Sequence, residues 1–235
     1  MDFEKGGICL KRCVALSMAV ALLISLLLSL SACGKKKNEA VRDTESEQTY
    51  AAVLTAYKTA IEQDYSAEEM TEKNVNYLVS YLAAEGDALE SVCYAFLDLD
   101  TDGQKELILF NNEDRGDSIA SVILDLYDVY DGTVTSMLQS NERDCYYMGE
   151  NNAIYDEASD GYDSSLWEKN TYENGMLRTV GSITYAESGD TPVWTYTEQD
   201  QDAQNLSEEE ALQLISSYQA SYLCLNGTAL SEWKA

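Results

Sequence analysis

The sequence predicts an α+β fold, with N-terminal helices, an antiparallel β-meander of short strands and a C-terminal amphipathic helix. Three observations support this fold class. Apolar residues recur at helical spacing in the stretch 50–82. Short β-rich segments separated by turn dipeptides follow over 92–197. A Ser-Glu-Glu-Glu run at 207–210 then begins a last amphipathic stripe.

Two helices are predicted before the sheet, over about 48–63 and 67–84. The first is indicated by an apolar face that includes Tyr50, Leu54 and Tyr57. The second begins at a capping box formed by Ser66 and Glu69. The terminal helix begins at Ser207, where three glutamates lie at the positive end of the helix dipole.

The predicted strands form hairpins at two turn dipeptides. Asp131-Gly132 and Asn174-Gly175 both favour the two-residue turn that joins antiparallel strands. No alternating strand–helix–strand pattern occurs, which argues against a two-lobed solute receptor. The predicted strands cover 92–97, 106–110, 119–130, 133–138, 145–148, 153–155, 166–172, 176–185 and 193–197.

The N-terminus has the pattern of a secretory leader. A short basic region precedes an apolar stretch from Val14 to Leu30, and the tetrapeptide Leu30-Ser31-Ala32-Cys33 follows. This tetrapeptide resembles the lipobox of bacterial lipoproteins. The resemblance implies removal of residues 1–32 and attachment of diacylglycerol to Cys33. The alternative is an uncleaved anchor, for which the apolar stretch is at the short limit.

The resemblance also implies a location and a domain organisation. The lipid on Cys33 would hold the protein in the bilayer, on the extracytoplasmic face of the cell membrane. Residues 33–48 are polar and are expected to form a tether, in which Lys35–Lys37 could contact anionic lipid. Residues 49–235 are enough for one domain with its own core.

Charge and composition exclude several functions. The chain has 15 Lys and Arg against 42 Asp and Glu, which gives a net charge of −27. Such a surface repels nucleic acid, which is not an expected partner. The chain has no histidine, and this excludes Ser-His-Asp and Cys-His catalysis. Beyond the lipobox, Cys93, Cys145 and Cys224 fit either one disulfide and a free thiol or three small buried apolar residues.

The nine residues from Asp98 to Glu106 are the main candidate site. Their pattern, Asp-x-Asp-x-Asp-Gly-x-x-Glu, places several oxygen ligands around a sharp turn at Gly103. Calcium binds six to eight oxygens in flexible geometry. An acidic β-turn without a metal is the alternative, because Asp and Gly are also turn residues. The predicted calcium ligands are Asp98, Asp100, Asp102, Gln104 and Glu106.

The loop resembles an EF-hand only in its first half, because Leu109 stands where an EF-hand has its bidentate glutamate. It is more similar to the calcium loops of FG-GAP and related extracellular repeats, in which an acid at the position of Glu106 completes the site. One copy is present, so a propeller is not implied. The same stretch and the hairpin at 127–132 resemble uncharacterised clostridial-type lipoproteins, a resemblance that implies no activity.

The function predicted from these features is a non-enzymatic binding or interaction module with a structural calcium site. Its partner is expected to be a cell-wall glycan or a surface protein, and Trp167, Trp194 and Trp233 could stack on sugars. The alternative is a carboxylate-based glycoside hydrolase of envelope polysaccharide. Among the remaining acids, Asp125 and Asp128 are expected to be separated by strand alternation, and Asp156 is expected in an exposed turn.

Overall fold

A computed structural model describes residues 43–116, 118–161, 163–188 and 191–234. The predicted signal peptide, the lipidation site Cys33 and the tether as far as residue 42 lie outside these residues. None of the described helices is long and apolar enough to cross a membrane.

Five helices come before the sheet in the described part of the chain. They are α1 (Thr44–Thr49), α2 (Ala51–Glu62), α3 (Ala67–Glu72), α4 (Leu78–Glu85) and α5 (Ala88–Ser91). Helical structure therefore begins at Thr44, inside the segment predicted as tether, and it is interrupted at Tyr50. The Asp43 side chain caps α1 by accepting a hydrogen bond from the Ser46 N–H at 3.2 Å. Asp43 also pairs with Lys105 at 2.7 Å, which ties the start of the domain to the candidate loop.

The second predicted helix (67–84) is wrong in its middle. The capping box of Ser66 and Glu69 does begin α3, but the helix ends where Asn74 adopts a φ of 56°. This left-handed conformation is tolerated by asparagine and cannot continue a helix. The buried Asn76 then donates from Nδ2 to two backbone carbonyls of the sheet region, at 2.6 and 2.9 Å. The break is thus fixed by contacts that are distant in sequence.

The described residues include eleven strands. In chain order they are β1 (Val92–Leu97), β2 (Glu106–Asp114), β3 (Ile119–Tyr130), β4 (Thr133–Gln139), β5 (Asp144–Met148), β6 (Ile154–Ser159), β7 (Ser164–Glu173), β8 (Met176–Ser188), β9 (Thr191–Glu198), β10 (Gln204–Leu206) and β11 (Thr228–Ala229).

These eleven strands form one antiparallel sheet in the order β10-β9-β8-β7-β6-β5-β3-β2-β1-β11, and β4 pairs with β3. The predicted α+β class is confirmed. The strands β10 and β11 were not predicted from the sequence, because they have only three and two residues.

Both predicted two-residue turns are confirmed. Asp131 and Gly132 have φ values of 49° and 75° and join β3 to β4. Asn174 and Gly175 have φ values of 53° and 75° and join β7 to β8. Positive φ at both central residues gives the turn whose twist matches that of the paired strands.

The centre of the core is β2, which is covered on both faces. On one face Leu107 and Leu109 belong to a cluster with the helices that includes Tyr57 of α2. On the other face Ile108 and Phe110 pack in a cluster with Ile154 of β6. A strand buried on both faces carries a continuous apolar run rather than an alternating one. The loop between β1 and β2 therefore lies at the end of a strand that is buried on both faces.

The last helix, α6 (Glu208–Gln219), covers the opposite end of the sheet. The predicted capping box is present: the Ser207 side chain accepts from the Glu210 N–H, and the Glu210 carboxylate accepts from the Ser207 N–H at 2.9 Å. Ile215 of this helix packs on Ile183 of β8. The half-buried Trp167 and Trp194 stack on each other and join the same cluster, so they contribute to packing.

Two of the cysteines fit a packing role. Cys93 and Cys145 are half-buried free thiols. Burial raises the pKa of both thiols, that of Cys145 to about 11. A thiol with a raised pKa is a poor nucleophile at neutral pH.

Candidate metal centre

The β1–β2 loop is a tight turn stabilised by its own aspartates. The Gly103 N–H donates to Asp98 Oδ2 at 3.2 Å, and the Asp102 N–H donates to Asp100 Oδ1 at 3.2 Å. Thr101 and Gly103 both have positive φ, 63° and 93°. Glycine adopts such a conformation without steric cost. These hydrogen bonds fold the loop around the carboxylates of Asp98 and Asp100.

Three of the five predicted ligands converge. One carboxylate oxygen each from Asp98, Asp100 and Glu106 lies within 4.8 Å of the other two. Oδ1 of Asp98 is buried and has no hydrogen-bond partner in the described structure. The three residues form an acidic pocket with at least one oxygen available to a cation.

Glu106 lies at the bottom of this group and is only 1% exposed. Its Oε2 accepts a hydrogen bond from the Leu99 N–H at 2.6 Å. Burial raises the pKa of Glu106 to about 7; the hydrogen bond from Leu99 opposes this rise, and the charges of Asp128 and Asp100 add to it. No ion pair between described residues gives Glu106 a positive partner that would hold its pKa down.

The two other predicted ligands are Asp102, which is not in this group, and Gln104, which was predicted to bind through its backbone carbonyl. Asp102 is exposed, and its Oδ1 accepts from the Gln104 N–H at 2.7 Å. The Gln104 side chain donates from Nε2 to Asp128 Oδ1 at 3.1 Å. Its backbone carbonyl, the group expected to bind calcium, stays a prediction. Asp128 is a neighbour of the site that the loop motif could not reveal.

Two distant segments also fix the loop. The Asn152 side chain donates to the carbonyl oxygens of Asp98 and Leu99, at 3.0 and 3.2 Å. The Asn174 N–H, in the β7–β8 turn, donates to Asp100 Oδ2 at 3.1 Å. The Asn174-Gly175 turn is predictable from the sequence, but its position against the loop depends on the whole sheet.

The electrostatics of the site favour a cation. In the described part of the chain, none of the ion pairs involves Asp98, Asp100 or Glu106. Like charges less than 5 Å apart repel by about 3 kcal/mol per pair at an effective dielectric constant of about 20. Oxygen ligands alone suit calcium or magnesium rather than a soft metal.

A second pair of acids lies on neighbouring strands, away from the loop. Asp156 was expected in an exposed turn, but it lies inside β6 and is 8% exposed. Burial raises the pKa of Asp156 to about 8, and the neighbouring carboxyl group of Asp144 in β5 adds to this rise. The hydrolase alternative needs two acids about 5–10 Å apart on either side of a sugar bond. Asp156 is instead buried within the sheet.

Comparisons of the chain with known protein families, with curated proteins and with solved structures found no match.

Proposed function

We propose that the protein is a membrane-tethered, extracytoplasmic binding module whose β1–β2 loop holds a structural calcium ion. The observation that carries the calcium proposal is the convergence of Asp98, Asp100 and Glu106 within 4.8 Å without a basic partner among the described residues. The ligand of the module is proposed to be a cell-wall glycan or a surface protein.

The contacts around the loop support a structural rather than a catalytic ion. Asn152 and Asn174 bring two further segments to the loop through hydrogen bonds of 3.0 to 3.2 Å. A cation that neutralises the carboxylates would therefore stabilise three segments of the sheet at once. A site whose Kd is tenfold below the ambient calcium concentration adds about 1.4 kcal/mol to the free energy of unfolding.

The test is the melting temperature of the full chain in detergent micelles, with 1 mM calcium and with excess chelator. We expect calcium to raise the melting temperature by about 3–6 °C, the shift that such a free energy gives in a domain of this size. Asp98→Asn should abolish the shift, because it removes a charged ligand. Asp131→Asn, in an exposed turn outside the site, should retain it. A wild-type melting temperature that is unaffected by calcium would refute the proposal.

The membrane tether is a separate part of the proposal and rests on the lipobox pattern that ends at Cys33. In a bacterial host fed labelled palmitate, the wild-type chain should take up label and partition into the detergent phase. Cys33→Ala should lose both properties, whereas Cys13→Ala, which lies inside the predicted leader, should retain them. Labelling that persists in Cys33→Ala would contradict the tether.

A further inference from the structure

A groove of about 810 Å³ lies between α2, the α3–α4 connection and the β3–β4 hairpin. Its volume falls within the range of small-ligand sites, about 300–1,000 Å³. Its surface combines apolar side chains such as Val53 with the hydroxyl and amide groups of Tyr127, Ser136 and Gln139. The groove is separate from the β1–β2 loop, since none of its lining residues belongs to Asp98–Glu106.

A buried carboxylate stands behind one wall of the groove. Asp125 is 0% exposed. It accepts hydrogen bonds from Ser136 Oγ at 2.8 Å, from Gln139 Nε2 at 3.0 Å and from the Tyr57 hydroxyl, and the Tyr127 hydroxyl lies 3.4 Å away. No described Lys or Arg pairs with it.

The burial of the Asp125 carboxylate costs free energy that its packing contacts do not offset. A buried acid without a cation is less favourable than an apolar side chain of similar size, and burial raises the pKa of Asp125 to about 6. Its hydrogen bonds hold Ser136, Gln139 and Tyr127 in one arrangement on the groove wall. Asp125 is therefore a positioning residue, and a perturbed acid behind a cleft is a mark of a binding site.

The hydrogen-bonding state of the wall indicates the chemistry of the ligand. The Ser136 hydroxyl donates its hydrogen bond to Asp125. The hydroxyl groups of Thr71 and Thr135 donate theirs to backbone carbonyls at 2.9 and 3.1 Å. The oxygen atoms of these side chains remain as acceptors. A ligand that donates hydrogen bonds, as the hydroxyl groups of a sugar do, complements these acceptors.

Lys73 supplies the one charge among the described residues of the groove. It is exposed at the end of α3, next to the left-handed Asn74, and forms no ion pair with a described residue. The whole chain has a net charge of −27, so most of its surface repels anions. Lys73 is the group at this edge of the groove that attracts an anion.

We propose that this groove binds an acidic glycan, with sugar hydroxyls donating to the wall around Ser136 and Gln139 and a carboxylate beside Lys73. This inference rests on the proposed role as an extracytoplasmic binding module and names its ligand. The glycan of that location is the cell wall, in which N-acetylmuramic acid has a free carboxylate wherever its peptide has been removed.

The test is isothermal titration calorimetry of the full chain in detergent micelles with two disaccharides. One contains N-acetylglucosamine and N-acetylmuramic acid; the other contains two N-acetylglucosamines and lacks the carboxylate. The acidic disaccharide should bind about fivefold more tightly, the contribution of one exposed ion pair. Lys73→Gln should remove this preference, so that the two disaccharides bind this variant with about equal affinity. Lys234→Gln, an exposed lysine outside the groove, should retain it.

Ser136→Ala should weaken the binding of both disaccharides. The melting temperature of this variant shows whether the domain is still folded. Equal affinities for the two disaccharides, or an undiminished preference in Lys73→Gln, would overturn the inference, as would the absence of binding. Calcium binding at the β1–β2 loop is measured without either sugar. A failure of the groove to bind the disaccharides would therefore not contradict the calcium proposal.

Discussion

A single carboxyl group, Asp156, lies among like charges inside the sheet. It faces Glu168 across the β6–β7 pair and Tyr146 across the β5–β6 pair, and the carboxyl group of Asp144 is a further neighbour. Glu157, the next residue along β6, adds a further negative charge. Because burial and these neighbours disfavour a charge on Asp156, they favour its protonated form.

The pKa of Asp156 predicts how stability changes with pH. The ordinary pKa is 3.8 and the folded value is about 8. The folded state therefore keeps a proton that the unfolded state releases above pH 4. Its free energy of unfolding falls as the pH rises from about 4 to 8 and the contribution is constant above that range. Asp156→Asn retains a hydrogen-bond donor and removes the titration.

We therefore expect Asp156→Asn to gain stability relative to the wild type as the pH rises from 4 to 8, and to differ little from it at pH 4. Urea unfolding at both pH values measures the difference, and Asp160→Asn, an exposed neighbour, serves as the control. A variant that gains nothing between pH 4 and pH 8 would show that Asp156 is not protonated in the folded protein.

Strand alternation explains which acids the sequence could place. Asp125 contacts Tyr57 on the helix-covered face, whereas Asp128 accepts from Tyr172 on the other face at 2.8 Å. The expected separation of these two acids is confirmed. Asp156 was misplaced because β6 continues to Ser159, past the point where apolar residues end. The burial of a polar residue in a strand depends on its neighbours in the folded sheet, and the sequence alone does not identify them.

At the scale of elements, the cap of α6 offers a local test of stability. The Ser207 side chain accepts from the third N–H of the helix, a group with no partner inside the helix. We expect Ser207→Ala to lower the free energy of unfolding by about 1 kcal/mol, as measured by urea titration. Ser216→Ala, on the exposed face of the same helix, removes only a bond to the Leu212 carbonyl and should be neutral or slightly stabilising. Equal losses in both variants would argue against the cap.

The elements that were predicted well are those with local causes. The type of turn at Asp131 and at Asn174 depends on two adjacent residues, and the limits of β1 and β3 follow from runs of β-branched and aromatic residues between turns. The break at Asn74 was not predicted, because the apolar spacing continues through it. Its cause is the attachment of Asn76 to the sheet, which only the folded chain provides.

At the scale of the whole molecule, the candidate metal centre is a product of topology. The motif supplies Asp98, Asp100 and Glu106, and these residues could be named from the sequence. Asn152 and Asn174 reach the loop only because β5, β6 and β7 follow β3 in the sheet. A cation at this point would neutralise the acids at a junction of distant segments. Among the described residues, Asp98, Asp100 and Glu106 are the one group of acids whose oxygens converge closely enough to hold a metal ion, and we propose one specific calcium site there.

Flow dialysis of the full chain with ⁴⁵Ca at pH 7.5 and 0.15 M salt tests this claim most directly. We expect one calcium ion per chain at saturation, with Asp98→Asn losing that ion and Asp131→Asn keeping it. Salt screens the weak attraction of the net charge of −27, so binding to scattered surface acids should not saturate at one ion. No saturable binding, or the same binding in Asp98→Asn as in the wild type, would contradict the account.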